Sequence, residues 1–346
     1  MDQTHLKGNA VAAIRLTLKE ARRLAFDCLM ANGCDQANAE ATADNMTGAE
    51  RDGCISHGLF RLPGYVISLR NGKIDGKAQP KIDTLSPGVI RVDGNGGMAP
   101  LALDRSRKAL ANRAREQGVA IAAVVNVYHM AALWPDVEPL AEQGLCALAM
   151  TASRSFVAPA GGSKPLFGTN PMAFAWPRAD GPPVVFDQAV SVMARGEVMI
   201  AARDGQELPE GVGLDNAGNP TTNPEAVLDG VLLPFGGYKG SSIALMIDML
   251  AAGLIGQPFS PEIEANSNGD GGPEGGGELI IAINPDRFGD AEGWRAHCET
   301  FFAEMLSQDG VRLPGDRRYA YRETTLAEGV EIPEKLHAEI TELCSA

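Results

Sequence analysis

The chain has 346 residues and a formal net charge of −14, with 45% apolar and 21% charged residues. That length allows two or three domains and a substantial core. The acidic balance, with no dense basic run, excludes a nucleic-acid partner, whose phosphates need clustered Lys and Arg.

Met1 to Asn9 is polar and lacks the apolar core of a signal peptide. Thr17, with Glu20 three residues on, forms a capping box. The helix it opens carries Ala21, Leu24, Ala25, Cys28 and Leu29 on one face and stops at Asn32-Gly33. Asp35 caps a second helix that ends at Asp52-Gly53, and a third short helix is expected over residues 59–70. Residues 89–92 read as a strand. Gly94-Asn95-Gly96-Gly97-Met98-Ala99 follows, then a helix over 100–117. This matches the dinucleotide fingerprint in form only. The helix is charged and amphipathic, and no strand with a ribose-binding acid follows at the required distance.

Residues 119–126, 146–151, 172–176, 184–187 and 279–284 read as strands, and 190–203 as a helix. The longest apolar run, 243–255, contains Asp248, is too short to span a bilayer, and reads as a buried helix. Residues 265–277, rich in Gly, Asn and Asp, read as a mobile surface loop. Six cysteines (28, 34, 54, 146, 298 and 344) form no CxxC pair. They are expected to be reduced thiols in the cytoplasm, and no His/Cys/Asp cluster offers a metal site.

Candidate chemistry centres on His57, one of five histidines. Ser56 precedes it and Arg61 follows four residues on. A group that exchanges a proton near neutral pH, beside a cation able to grip a carboxylate through two parallel bonds, suits a small carboxylic acid. A hydrogen-bonded turn histidine is the plain alternative. His129 follows a buried strand, where α/β sites tend to lie; its alternative is a helix cap. Gly168-Thr169-Asn170-Pro171 offers backbone N–H groups and a hydroxyl for phosphate oxygens. Gly236-Gly237-Tyr238-Lys239-Gly240 lacks P-loop spacing but opens a helix. Arg312-Leu313-Pro314-Gly315-Asp316-Arg317-Arg318 is the densest basic spot. Asp187 and Glu197 are the carboxylates suited to orient a histidine. Plain turns and surface ion pairs are the alternatives for these segments.

Together these segments, in this order from about Thr17 to Ala327, resemble the malate/L-lactate dehydrogenase family of the second type, also called sulfolactate dehydrogenase-like. The matching residues are Ser56-His57-Gly58 with Arg61 and Tyr65, His129, Gly168-Thr169-Asn170-Pro171, Asp187, Pro234-Phe235-Gly236-Gly237-Tyr238-Lys239-Gly240 and Leu313-Pro314-Gly315. Residues 60–65, 131–139 and 312–319 resemble the branch of Δ1-piperideine-2-carboxylate/Δ1-pyrroline-2-carboxylate reductases most.

The resemblance implies an α/β, non-Rossmann NADP-binding fold, a mostly antiparallel sheet flanked by helices, with an N-terminal helical domain. It implies residues 1–136 as the N-terminal substrate and dimerisation domain, 137–296 as the NAD(P)H domain, and 297–346 packing back on the first. Carried over by residue, His57 is the proton donor, Ser56 and Glu197 its relay partners, and Arg61 with Tyr65 the substrate contacts. Cofactor contacts are His129, Met130, Ala131, Ala132, Leu133, Thr169, Asp187, Lys239, Arg312, Gly315, Asp316 and Arg317. Relatives have Asp at the position of Glu197, and Tyr128 and Tyr238 also depart from the family pattern.

The activity implied is reduction of cyclic imino acids to L-proline and L-pipecolate by a cytoplasmic homodimer. NADPH is the expected cofactor, NADH the alternative, and no metal, nucleic acid or membrane takes part. A 2-oxo-acid/2-hydroxy-acid dehydrogenase and a non-catalytic cofactor-binding paralogue are the other readings. Arg154, Lys164 and Arg195 are candidates for a ribose 2′-phosphate.

Overall fold

The computed structural model describes residues 12–345; the polar stretch Met1–Asn9 lies outside them. A seven-stranded sheet forms the centre, in the order Lys81–Ser86, Val89–Met98, Val119–His129, Glu274–Ile283, Cys146–Thr151, Met172–Trp176 and Val184–Gln188. Only the Val89–Met98/Val119–His129 pair is parallel. The helix Ala99–Gln117 makes that crossover, because parallel neighbours need a long connection. All other pairs are antiparallel. The sheet takes strands from both sides of residue 136.

Both faces of the sheet are covered. Ile90, Val92, Ala122, Val124, Ala147 and Ile280 pack on one side with Leu103 and Leu110 of the crossover helix and Val137 and Leu140 of Trp134–Ala141. Ala123, Val125, Met150 and Leu279 pack on the other with Val198 and Ala201 of Arg195–Arg203 and Ala244, Ile247 and Ala251 of Tyr238–Ala251. A strand buried on both faces shows no alternation, which is why 119–125 is a continuous apolar run.

The helices Leu18–Ala31, Gln36–Arg51 and Leu62–Arg70 build a separate apolar cluster. The chain's end closes it. Strand Val330–Pro333 pairs antiparallel with Ala13–Leu16, and Ile340 of the last helix is fully buried there. The Thr17 capping box and the Asp35 cap are both present.

Four expectations change. Residues 94–98 belong to a strand, and a Cβ at Gly94 or Gly97 would lie 2.3 Å from Val127 Cγ1 or 2.5 Å from Ala78 Cβ. Those glycines serve close packing. The helix expected over 190–203 begins only at Arg195, because Val190 and Val192 donate to Thr169 and Leu233 carbonyls instead of continuing a helix. The helix expected from 59 starts at Leu62, after the 3₁₀ turns Ile55–His57 and Leu59–Arg61. The apolar helix Tyr238–Ala251 buries one face only: Tyr238 (70% exposed), Leu245, Met246 and Met249 face outward. The stretch Tyr238–Ile255 is long and apolar enough to cross a membrane, yet Ala244, Ile247 and Ala251 pack against the sheet and Asp248 bonds to Asn170 and Ser260.

Candidate active site

His57 is placed by the end of the second helix. Beyond Asp52 and Gly53 the chain turns twice in 3₁₀ form. Buried Glu50 holds this turn from behind, its Oε1 accepting from Leu59 N at 2.7 Å. A Cβ at Gly58 would lie 2.1 Å from that oxygen, so only glycine admits the approach. Burial pushes the Glu50 carboxyl up to about 7.

The turn delivers His57 and Arg61 to one cavity of about 590 Å³. Ser56 Oγ is 2.9 Å from His57 Nδ1, and Cys54 Sγ is 3.5 Å from the same nitrogen. Nε2 is therefore the nitrogen left for a ligand. Burial, then the Arg61 cation, then His129 lower the His57 pKa to about 3, so without a ligand the ring is neutral at pH 7. Arg61 donates from Nε to Ser56 O at 2.6 Å. Burial lowers its pKa to about 10, roughly 10³ in favour of the charged form at pH 7. Gly196 makes room for it, since a Cβ there would lie 2.7 Å from Arg61 Nη2. The site thus pairs a permanent cation with a neutral imidazole.

Glu197 lines the cavity in the first turn of Arg195–Arg203, and its Oε2 accepts from Ala194 N at 3.3 Å. The opposite wall is residues 129–134. Asp187 Oδ2 accepts from Leu133 N at 2.7 Å and from Trp134 N at 3.1 Å, fixing this backbone to the last strand of the sheet. Burial raises the Asp187 pKa, opposed by those two bonds and by Arg318. The plain ion-pair reading of Asp187 gives way to this backbone-holding role. Thr169 lines the cavity, its Oγ1 3.2 Å from Ser153 Oγ. Asn170 of the same motif is fully buried, bonded to Ser153 N, Ala244 O and Asp248. The motif is thus half site and half framework.

Ser56, His57, Arg61, His129, Met130, Ala131, Ala132, Leu133, Thr169, Asp187 and Glu197 all meet at this cavity. Tyr65 does not reach it: it is 1% exposed and accepts from Met130 N at 3.1 Å, supporting the wall from behind. Lys239 is exposed and outside the cavity, as are Arg312 and Arg317, with Gly315 and Asp316 also outside. From the basic turn it is Arg318 that reaches the cavity, donating to Val185 O at 3.3 Å and lying over Trp134. Its neighbour Arg317 is turned away by the helix that begins at Asp316. Residues 271–275, read as surface loop, line the cavity, and Glu274 already belongs to a strand. Among the 2′-phosphate candidates, Lys164 is exposed and outside the cavity. Arg154 is engaged by Glu264, and Arg195 lies 3.8 Å from the Phe156 ring centroid. Glu50 and Gly196 carried no sequence signal, because each acts through a contact that only the fold brings about.

The chain is similar over nearly its whole length to known proteins. Residues 16–341 match the family model for malate/L-lactate dehydrogenase. A Δ1-pyrroline-2-carboxylate/Δ1-piperideine-2-carboxylate reductase from Pseudomonas aeruginosa is 46% identical over 95% of this chain and 99% of its own. A protein with the same name from Pseudomonas putida is 47% identical over 93% of this chain and 94% of its own. The crystal structure of Δ1-piperideine-2-carboxylate reductase from Pseudomonas syringae superposes with a TM-score of 0.88, at 43% identity, over 95% of this chain and 99% of that one. The chain belongs to the malate/L-lactate dehydrogenase family.

Proposed function

We propose that the protein is a reductase of cyclic imino acids that uses NADPH, converting Δ1-pyrroline-2-carboxylate to L-proline and Δ1-piperideine-2-carboxylate to L-pipecolate. The observation that carries this is His57 and Arg61 in one cavity, one fixed by Ser56 and the other a half-buried cation, in a chain similar throughout to reductases of these imines.

The donor set fits a nicotinamide cofactor. The 129–134 backbone, Thr169 and Arg318 line the cavity, and buried Arg318 Nε has no hydrogen-bond partner among the described residues. A bound cofactor supplies the hydride. Arg61 takes the substrate carboxylate and so fixes which face of the ring is presented. That carboxylate offsets the Arg61 charge, which is one of the groups holding His57 neutral. The His57 pKa rises in the complex, and Nε2–H stands beside the ring nitrogen. Proton donation there matters most in the transition state, as the C=N bond gains electrons. Ser56 keeps the imidazole oriented, and Glu197 lines the same cavity as the other member of the relay. We assign the sheet and its covering helices to cofactor binding as a non-Rossmann fold, with the N-terminal helices and the chain's end as the substrate side. We also propose a homodimer. Tyr238, Leu245, Met246, Met249 and Leu254 leave an apolar face uncovered in one chain, and sedimentation as a single chain would contradict it. Six free thiols fit a reducing compartment.

Arg195 is the better candidate for the 2′-phosphate, because Arg154 is tied to Glu264. Burial, Arg154 and Arg61 lower its pKa to about 10, which still leaves it cationic. Arg195→Ala should reduce the NADPH-over-NADH ratio of kcat/KM by about tenfold or more, the loss of one charge-assisted contact. Kinetics with both cofactors check it; an unchanged ratio assigns the phosphate elsewhere.

The reading is tested by following NADPH oxidation with each cyclic imine and with pyruvate. Faster turnover of the imines supports it. Faster turnover of pyruvate favours the oxo-acid dehydrogenase, for which the same His and Arg would serve.

A further inference from the structure

Behind the cofactor wall lies a cluster that the proposed chemistry does not use. His129, Asp136 and Glu278 place one donor atom each within 4.8 Å of one another. They come from three elements: the end of strand Val119–His129, helix Trp134–Ala141, and strand Glu274–Ile283 at its register shift. Glu278 is fully buried and Asp136 is 4% exposed. His129 alone reaches the cavity. Its Nε2 is 3.0 Å from Glu278 Oε2 but off the hydrogen-bond direction. Asp136 Oδ2 and both Glu278 oxygens are likewise buried without an aligned partner among the described residues.

The protonation pattern follows from the surroundings. His129 Nδ1 accepts from Ala131 N at 3.4 Å, so a neutral ring carries its hydrogen on Nε2, facing Glu278. Burial, then the Glu278 charge, raises the Asp136 pKa well above its ordinary value; burial, then Asp187, does the same to Glu278. Burial lowers that of His129. Burial thus favours the neutral form of each of the three groups. An apolar side chain at 278 would avoid burying a carboxyl there, so its presence points to a specific task.

We propose that Glu278 is a positioning residue of the reductase site, fixing the His129 ring and through it the 129–134 backbone that Asp187 holds from the other side. The proposal rests on that backbone being the cofactor wall. Glu278 acts through His129 and touches no ligand itself. With a rotation that aligns the 3.0 Å pair, a neutral carboxyl accepts from His129 Nε2–H through one oxygen and donates an O–H toward Asp136. Gln reproduces that pattern; Leu removes it.

Glu278→Leu should raise the Kd for NADPH, read by fluorescence titration, at least about tenfold. The KM for the imine should stay near that of the unmodified chain. Glu278→Gln should restore NADPH binding. Nitrogen NMR of histidine-labelled protein should show His129 as the Nε2–H tautomer in the unmodified chain and in Glu278→Gln, and these two measurements stand if Glu278→Leu does not fold. Unchanged NADPH affinity in Glu278→Leu overturns the proposal. So does damage by Glu278→Gln equal to that by Glu278→Leu, or an Nδ1–H tautomer in the unmodified chain. A stoichiometric divalent metal lost in Glu278→Gln would also overturn it, making the cluster a metal site. Failure of the reductase reading looks different: the unmodified chain turns over no imine, while NADPH titration and the tautomer still report on Glu278.

Discussion

His57→Ala is expected to lower kcat with Δ1-pyrroline-2-carboxylate by about 10²–10⁴-fold, the range for losing a positioned acid, with NADPH affinity near that of the unmodified chain. The separation follows from position. His57 sits on the substrate side with Ser56 and Arg61, whereas the proposed cofactor wall is 129–134 and Asp187. The ring is neutral without ligand, at a pKa of about 3, and its pKa rises when a carboxylate offsets Arg61. Where that rise carries the ring's pKa past the working pH, ligand binding takes up a proton and a carboxylate inhibitor binds more tightly as pH falls. Calorimetry in two buffers of different ionisation enthalpy reads that uptake. Its absence in His57→Ala assigns it to His57. Near-normal turnover of that variant between pH 6 and 8 would move the proton donor to Glu197 or His129.

Arg61→Lys is expected to be nearly as damaging as removal of the side chain. Lys is a point charge on a flexible stem and cannot form two parallel bonds to a carboxylate. Here it also loses the Nε–H bond to Ser56 O at 2.6 Å, which ties the clamp to the residue that orients His57. The space beside Gly196 is shaped to a guanidinium. Both KM and kcat should suffer, by about 10²-fold or more in kcat/KM, equivalent to about 3 kcal/mol of transition-state stabilisation. Steady-state kinetics with either imine decide it, and unchanged constants would show that Arg61 does not hold the substrate.

These two residues were legible because their signals are local. Ser56, His57 and Arg61 lie within six positions of one another, and the turn that gathers them follows a helix stop visible at Asp52-Gly53. The same holds for the Thr17 capping box and for the strand 119–129, whose apolar run reflects cover on both faces. Other features were not legible because distant contacts decide them. Tyr65 stands in the recognised motif, yet its ring points into the core to support Met130. The basic turn read as a unit, but helix geometry selects Arg318 over Arg317. Val190 and Val192 continue an apolar pattern while their N–H groups go to Thr169 and Leu233, which delays the helix to Arg195. Glu278 stands in a glycine-flanked strand like any edge carboxylate, and only the pairing with Val119–His129 puts it beside His129.

The central claim is that His57 and Arg61 serve a cyclic imine. Its most direct measurement is kcat/KM with NADPH for Δ1-pyrroline-2-carboxylate and Δ1-piperideine-2-carboxylate beside that for pyruvate, on one preparation. At least one imine should exceed pyruvate by about 10²-fold, or about 2.7 kcal/mol of differential transition-state binding. A pyruvate rate equal to or above both imines would contradict the account.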